Sequence, residues 1–215
     1  MIISPGRRYV FVHIPKTAGT SFALALEDRA KKDDILIGDT PKAIRRRRRV
    51  RDAKARGRLW KHSTLRDIDG LVALDDLKDM FTFTLVRNPW DRAVSYYHWL
   101  RTQRFDHPSV KLSKELAFSD FVCHPVIATG FRNSPAATYM RRVDGVEHCN
   151  AFVRIEAFEK DAAPVFEHLG FAVNLPHLNR SDRGPDYRHY YNAETADCLA
   201  RACAEDIKRF NYSFE

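Results

Sequence analysis

No run of apolar residues in this 215-residue chain approaches the roughly 18 needed to cross a bilayer. No secretory leader is expected if this is the whole chain, because Met1 to Gly6 (MIISPG) offers no apolar stretch of signal-peptide type before basic residues follow. The expected location is therefore the cytoplasm. Cysteine is scarce. Cys123, Cys149, Cys198 and Cys203 form no CxxC pair, and none has a histidine at metal-ligand spacing. Cys198 and Cys203, five apart on an expected helix, do not share a face. All four are read as reduced and mostly structural. Charge imbalance is absent from most of the chain. The net charge is +8, yet ten of the 36 Lys and Arg and one of the 28 acids lie between Lys42 and Arg58. That leaves 26 bases against 27 acids elsewhere, so attraction for anions comes from one segment.

What is present suits one globular α/β domain over residues 1–215, with a basic insertion at about 40–58. Apolar, β-branched Tyr9 to Ile14 reads as a buried strand. Thr17 to Lys32 has helical spacing at Phe22, Leu26 and Ala30. Ile35 to Ile37 is a short strand, Leu71 to Met80 a short helix, and Met80 to Val86 a third strand. A long aromatic helix follows Asn88-Pro89 to about Arg104, and Ser113 to Cys123 is another helix. Phe152 to Ile155 is a late strand, Glu156 to Leu169 a helix, and Asn192 to Phe210 the closing helix. Strands alternating with helices predict a central parallel sheet flanked by helices on both faces.

The first strand feeds its helix through HIPKTAGTS, residues 13 to 21. A small, hydroxyl-rich turn at a helix N-terminus is a phosphate-binding arrangement, because backbone N–H groups and the helix dipole both favour an anion there. Gly19 allows close backbone approach. Thr17, Thr20 and Ser21 can donate from their hydroxyls, and Lys16 brings positive charge. Capping alone explains one hydroxyl; it does not explain the whole turn. The triphosphatase loop GxxxxGK[ST] is excluded, since the lysine precedes the glycine. The third strand ends in Val86-Arg87, with no acid to hold Mg²⁺.

LVRNPWDRAVSYYHWL, residues 85 to 100, supplies a second anion site. Asn88 can cap, Pro89 fits the first helical position and Asp91 suits the first turn. Arg87 at the strand tip and Ser95 two turns into the helix can hold a phosphate between them. A capped helix with an aromatic packing stripe is the plain alternative, which Tyr97, Trp99 and Leu100 fit.

Two anion motifs on adjacent strand ends suit a ligand with two separated anionic groups. Here the chain resembles the sulfotransferases that use 3′-phosphoadenosine 5′-phosphosulfate (PAPS). HIPKTAGTSF looks like the 5′-phosphosulfate loop of the carbohydrate branch, the relatives of heparan and chondroitin sulfotransferases. LVRNPWDRAVSYY looks like the 3′-phosphate motif. The run from Leu175 to Phe214 resembles the family's ending. The resemblance implies a P-loop NTPase-like three-layer sandwich and no metal. It implies that Pro15, Lys16, Thr17, Ala18, Gly19, Thr20 and Ser21 hold the phosphosulfate, that Arg87 and Ser95 hold the 3′-phosphate, and that Arg180 and Ser181 lie near the cofactor. Among the nine histidines, it singles out His62, some forty residues after the loop, as the base. Some members carry a second histidine two positions earlier; here that position is Trp60. His13 receives a core role. Lys16 would stabilise charge on the departing phosphate oxygen, leaving 3′-phosphoadenosine 5′-phosphate (PAP).

The acceptor is expected to be a hydroxyl on a carbohydrate, either neutral or anionic. Arg45 to Arg49 have three readings. One is a solvated insertion, another an acceptor-side patch for an anionic glycan or acidic lipid surface. The third is nucleic-acid binding, for which the run lacks aromatic interleaving. Arg132 and Asn133, in GFRNSPAATYM, are candidates for the acceptor side, against an ordinary turn into a helix. The rival functions are an ATP-dependent small-molecule kinase and a non-catalytic nucleotide- or polyanion-binding protein.

Overall fold

A computed structural model describes residues 1–174, 184 and 186–214. The chain opens with β1 (Ile2–Ser4), β2 (Tyr9–Val12), α1 (Gly19–Glu27), β3 (Ile35–Leu36), α2 (Pro41–Arg46), α3 (Arg48–Arg51), α4 (Leu74–Lys78) and β4 (Phe81–Val86). Four helices follow: α5 (Pro89–Arg101), α6 (Pro108–Glu115), α7 (Phe118–Cys123) and α8 (Pro125–Arg132). Then come α9 (Ala136–Tyr139), β5 (Ala151–Arg154), α10 (Phe158–Asp161) and α11 (Ala163–Leu169), and finally α12 (Ala193–Ala202) and α13 (Ala204–Phe210). The chain divides into two compact units, Met1–Val86 with Ala136–Leu178, and Arg87–Pro135 with Asn179–Glu215.

The first unit holds the sheet, in the order β3-β1-β2-β4-β5. β2, β4 and β5 are parallel, as alternating strands and helices require. β1 runs antiparallel to both β2 and β3, so the sheet is mixed. The sequence reading left β1 out, because three residues are too short to show a period. Side chains alternate across the strands. Tyr9, Phe11, Phe83 and Leu85 pack with Phe22 and Leu26 of α1 and Val165 and Leu169 of α11. Val10 and Val12 pack on the opposite face with Leu65, Ile68, Leu77 and Met140. Both faces are covered, which is why β2 reads as a continuous apolar run. Thr82 and Thr84 are fully buried in β4 and donate to the carbonyls of His148 (2.6 Å) and Val12 (2.8 Å), so neither hydroxyl is left unsatisfied.

The basic segment folds as α2 and α3. Thr40 caps α2 by accepting from the Ala43 N–H at 3.1 Å. Arg46 donates to the carbonyl of Lys31 at 2.7 Å, Arg49 donates to that of Lys32, and Lys42 donates to that of Glu27. These three bases tie the segment to the chain leaving α1, while Arg45, Arg47 and Arg48 stay exposed.

The second unit is helical. Its core joins Trp90, Val94, Tyr97 and Leu100 of α5 to Phe118 and Phe121 of α7, Ile127 and Phe131 of α8, and Leu199 of α12. The single helix expected over Ser113 to Cys123 is two, broken where Leu116 and Ala117 adopt extended backbone. The expected closing helix likewise breaks at Cys203. No helix among the described residues is long and apolar enough to cross a membrane.

Candidate active site

β2 enters the HIPKTAGTS turn at His13, which is 5 % exposed. Thr17 is buried and turns its hydroxyl inward, donating to the Ile14 carbonyl at 2.9 Å. It closes the turn. Lys16 and Ala18 hold φ of 68° and 61°, a left-handed backbone that costs a non-glycine residue roughly 1–2 kcal/mol. Such strain at two positions of one turn marks a conformation imposed by its surroundings. α1 then starts at Gly19 with Ala18 as its N-cap, and no side chain caps it. Its first backbone N–H groups and the positive end of its dipole lie at this turn, together with Lys16 and Thr20. That donor set, an ammonium, a hydroxyl and a helix N-terminus, fits a phosphosulfate. Gly19 has a reason other than the expected one. A Cβ here would lie 2.0 Å from His13 Cδ2, so the glycine makes room for the imidazole.

His62 is held by the same strand. Its Nδ1 lies 2.8 Å from the His13 carbonyl. A carbonyl only accepts, so Nδ1 carries the proton and the lone pair is on Nε2. The His13 and His62 rings meet edge-on with centroids 4.5 Å apart. Burial drives the His62 pKa down to about 4, and the Lys61 ammonium adds to the fall, while the bond to the His13 carbonyl opposes it. Lys61 is itself paired with Asp39 at 2.6 Å. The imidazole is thus neutral at pH 7, and its Nε2 lone pair can accept a proton, as a weak base. His13 is held well below the usual imidazole range, first by burial and then by His62.

A small pocket of about 10 Å³ beside the turn is lined by His13, Thr20, Glu27, Thr40 and Lys61. Glu27 is 3 % exposed and accepts the Thr40 hydroxyl on both carboxylate oxygens, at 2.7 and 2.8 Å. Burial raises its pKa. The sequence reading passed Glu27 over, although an acid in the last turn of a helix opposes the dipole and is a signal in itself.

The second unit carries the other motif. Asn88 caps α5 by accepting from the Trp90 N–H at 3.0 Å, and its amide donates to the Ser213 carbonyl at 3.0 Å. Trp90 Nε1 donates to the Ala196 carbonyl, and the Tyr191 hydroxyl donates to the Trp90 carbonyl. The C-terminal part of the unit therefore fixes the start of α5. Arg87 is bound through Nε and a terminal nitrogen to Asp91 Oδ2, at 2.8 and 2.5 Å. Arg87, Asp91 and Ser95 follow at four-residue steps on one side, and Ser95 is 7 % exposed. Asp91, read from the sequence only as a first-turn acid, orients the arginine. The i, i+4 spacing was the signal.

Arg132 ends α8 and Asn133 follows as its C-cap, both exposed. Arg132 lines a separate pocket of about 140 Å³ with Phe131, Arg201 and Asp206. Arg180 and Ser181 lie outside the described residues. Among the described residues, no group of three or more His, Cys, Asp or Glu is placed to hold a metal ion.

The crystal structure of mouse sulfotransferase SULT7A1 complexed with PAP superposes with a TM-score of 0.50, at 16 % identity over 97 % of this chain and 87 % of that one. At that identity the likeness is one of fold. A search of curated proteins finds no match. A model of the sulfotransferase family matches residues 1–181, which include the HIPKTAGTS turn, His62 and the Arg87 motif, and the chain belongs to that family.

Proposed function

We propose that this protein moves a sulfuryl group from PAPS to a hydroxyl of a carbohydrate, with the two compact units acting as one sulfotransferase domain over residues 1–215. The observation that carries the reading is His62, whose Nδ1 lies 2.8 Å from the carbonyl of His13, the first residue of the strained HIPKTAGTS turn. PAPS supplies the activated sulfuryl group. Pro15, Lys16, Thr17, Ala18, Gly19, Thr20 and Ser21 form the turn that receives its 5′-phosphosulfate. Lys16 and the N-terminus of α1 place positive charge where negative charge develops in the transition state. His62 Nε2 takes the proton of the acceptor hydroxyl. Arg87, oriented by Asp91, and Ser95 receive the 3′-phosphate; Arg180 and Ser181 are assigned to the cofactor from the resemblance alone. A charge-assisted contact from an arginine suits that dianion. No metal takes part in these roles.

Calorimetric titration with PAP and with adenosine 5′-phosphate, in chelator, tests the reading. PAP should bind far more tightly than the nucleotide lacking the 3′-phosphate. Equal binding of the two would exclude the role of Arg87, and a requirement for Mg²⁺ would favour an ATP-dependent kinase.

A further inference from the structure

α13 ends at Asn211, whose left-handed φ of 52° turns the chain out of the helix. The residues that follow, Tyr212 to Phe214, are irregular backbone and reach the start of α5. Phe214 meets three rings edge-on: Trp90 with centroids 5.5 Å apart, Tyr191 at 5.4 Å and Tyr187 at 5.9 Å. Edge-to-face pairing is an attractive geometry for aromatic rings. Backbone carbonyls complete the junction. That of Ser213 accepts from the Asn88 amide at 3.0 Å, and that of Phe214 accepts from the Tyr187 hydroxyl at 3.2 Å. Asn88 uses its side-chain oxygen to cap α5. Tyr187 also senses the acid that binds Arg87: burial, and then the Asp91 carboxylate, raise its phenol pKa. The segment Tyr212–Phe214 is thus a strap laid over the cap and first turn of α5.

What the strap controls follows from its place. Arg87 immediately precedes the cap, so the direction of its guanidinium depends on the backbone that Asn88 fixes. Asp91 steers the same guanidinium from one turn inside the helix. The strap itself is lightly held, with Ser213 exposed and Phe214 half-buried. A segment of that kind opens at low free-energy cost, so a ligand can bias its closure. We propose that Tyr212–Phe214 is a positioning strap for the 3′-phosphate site. With Phe214 seated on Trp90, Asn88 and Arg87 hold the geometry that receives the phosphate; with the strap released, that geometry is lost. The coupling runs both ways. A bound 3′-phosphate closes the strap by the same factor by which the closed strap tightens the phosphate. The proposal rests on the reading of Arg87 as the 3′-phosphate ligand. It makes Phe214 a positioning residue, acting through Trp90 and Asn88 rather than on the nucleotide.

The test uses the full chain, with PAP and adenosine 5′-phosphate as probes. In calorimetry, Phe214→Ala should weaken PAP by about fivefold or more and leave adenosine 5′-phosphate within about twofold. The retained binding of the second nucleotide also shows that the variant is folded. Phe214→Tyr keeps the ring and should restore most of the PAP affinity. Amide hydrogen exchange of the wild type needs no variant. Exchange at residues 212–214 should slow when PAP binds and slow less when adenosine 5′-phosphate binds. A Phe214→Ala protein with the wild-type ratio of the two affinities overturns the proposal, whether both are kept or both fall together. So does strap exchange that PAP leaves unchanged, or that adenosine 5′-phosphate slows equally. A wild type that binds the two nucleotides equally well would instead sink the reading of Arg87 on which the proposal rests.

Discussion

Gly19→Ala should harm this protein, against the usual trend. In a helix, alanine is favoured over glycine by up to about 1 kcal/mol, and Gly19 does not have the left-handed φ that would forbid a side chain. Propensity alone therefore predicts a gain. The packing predicts a loss. The new methyl would sit 2.0 Å from His13 Cδ2 and 2.5 Å from Nε2, where an ordinary contact needs more than 3.4 Å. The imidazole cannot swing aside, since it is 5 % exposed and lies against Phe11 and His62, with centroids at 6.3 and 4.5 Å. Overpacking a site of this kind costs typically 1–3 kcal/mol. Set against the full propensity gain, the net loss is up to about 2 kcal/mol. For a chain of this size that lowers Tm by up to roughly 8 °C. Because His13 moves and its carbonyl holds His62 Nδ1, kcat should fall more steeply than stability. Urea unfolding at constant slope, with steady-state sulfuryl transfer beside it, reads both quantities. A Gly19→Ala protein as stable and as active as the wild type would refute the assigned packing of His13 on the helix start.

Three further outcomes follow from the same structure. His62 has a folded pKa near 4 against an ordinary 6.5, so the unfolded chain takes up the proton first. Stability is therefore complete above pH 6.5 and falls as pH drops toward 4, by up to about 3 kcal/mol; His62→Gln should flatten that part of the denaturation profile, and an unaltered profile contradicts the burial of a neutral imidazole. Asp91→Asn loosens Arg87 and should weaken PAP several-fold while leaving adenosine 5′-phosphate binding unchanged, as read by calorimetry. Alanine at both Arg46 and Arg49 removes their bonds to backbone carbonyls and should cost about 1–2 kcal/mol in chemical denaturation. Alanine at exposed Arg45, Arg47 and Arg48 should stay within about 0.5 kcal/mol.

The parts of the site legible in the sequence were those with local signatures. HIPKTAGTS announced a strand, a turn and a helix start, and Asn88-Pro89 announced the capped start of α5; the structure shows both. The apolar run of β2 was readable because both faces of that strand are covered. What escaped were features decided by residues far apart in sequence. The His13 carbonyl and His62 Nδ1 are 49 positions apart, and the clash that makes Gly19 obligatory involves a ring on the preceding strand. The hydrogen bond from Thr40 to Glu27 joins two elements with no shared period. β1 was invisible because three buried residues at a chain start carry no alternation. The break between α6 and α7 arises from extended backbone at Leu116 and Ala117, neither of which is a helix breaker. The arginine run looked like a single charged object, whereas Arg46 and Arg49 are engaged by carbonyls and Arg45, Arg47 and Arg48 face solvent.

The central claim, that His62 is the base of a PAPS-dependent sulfuryl transfer, is tested most directly by His62→Ala. Transfer of labelled sulfate from PAPS to a glucuronate-containing tetrasaccharide should be lost at pH 7, by about a hundredfold or more. PAP affinity should stay within about twofold of the wild type. Turnover that survives the substitution, or a loss of activity matched by a loss of PAP binding, would contradict the account.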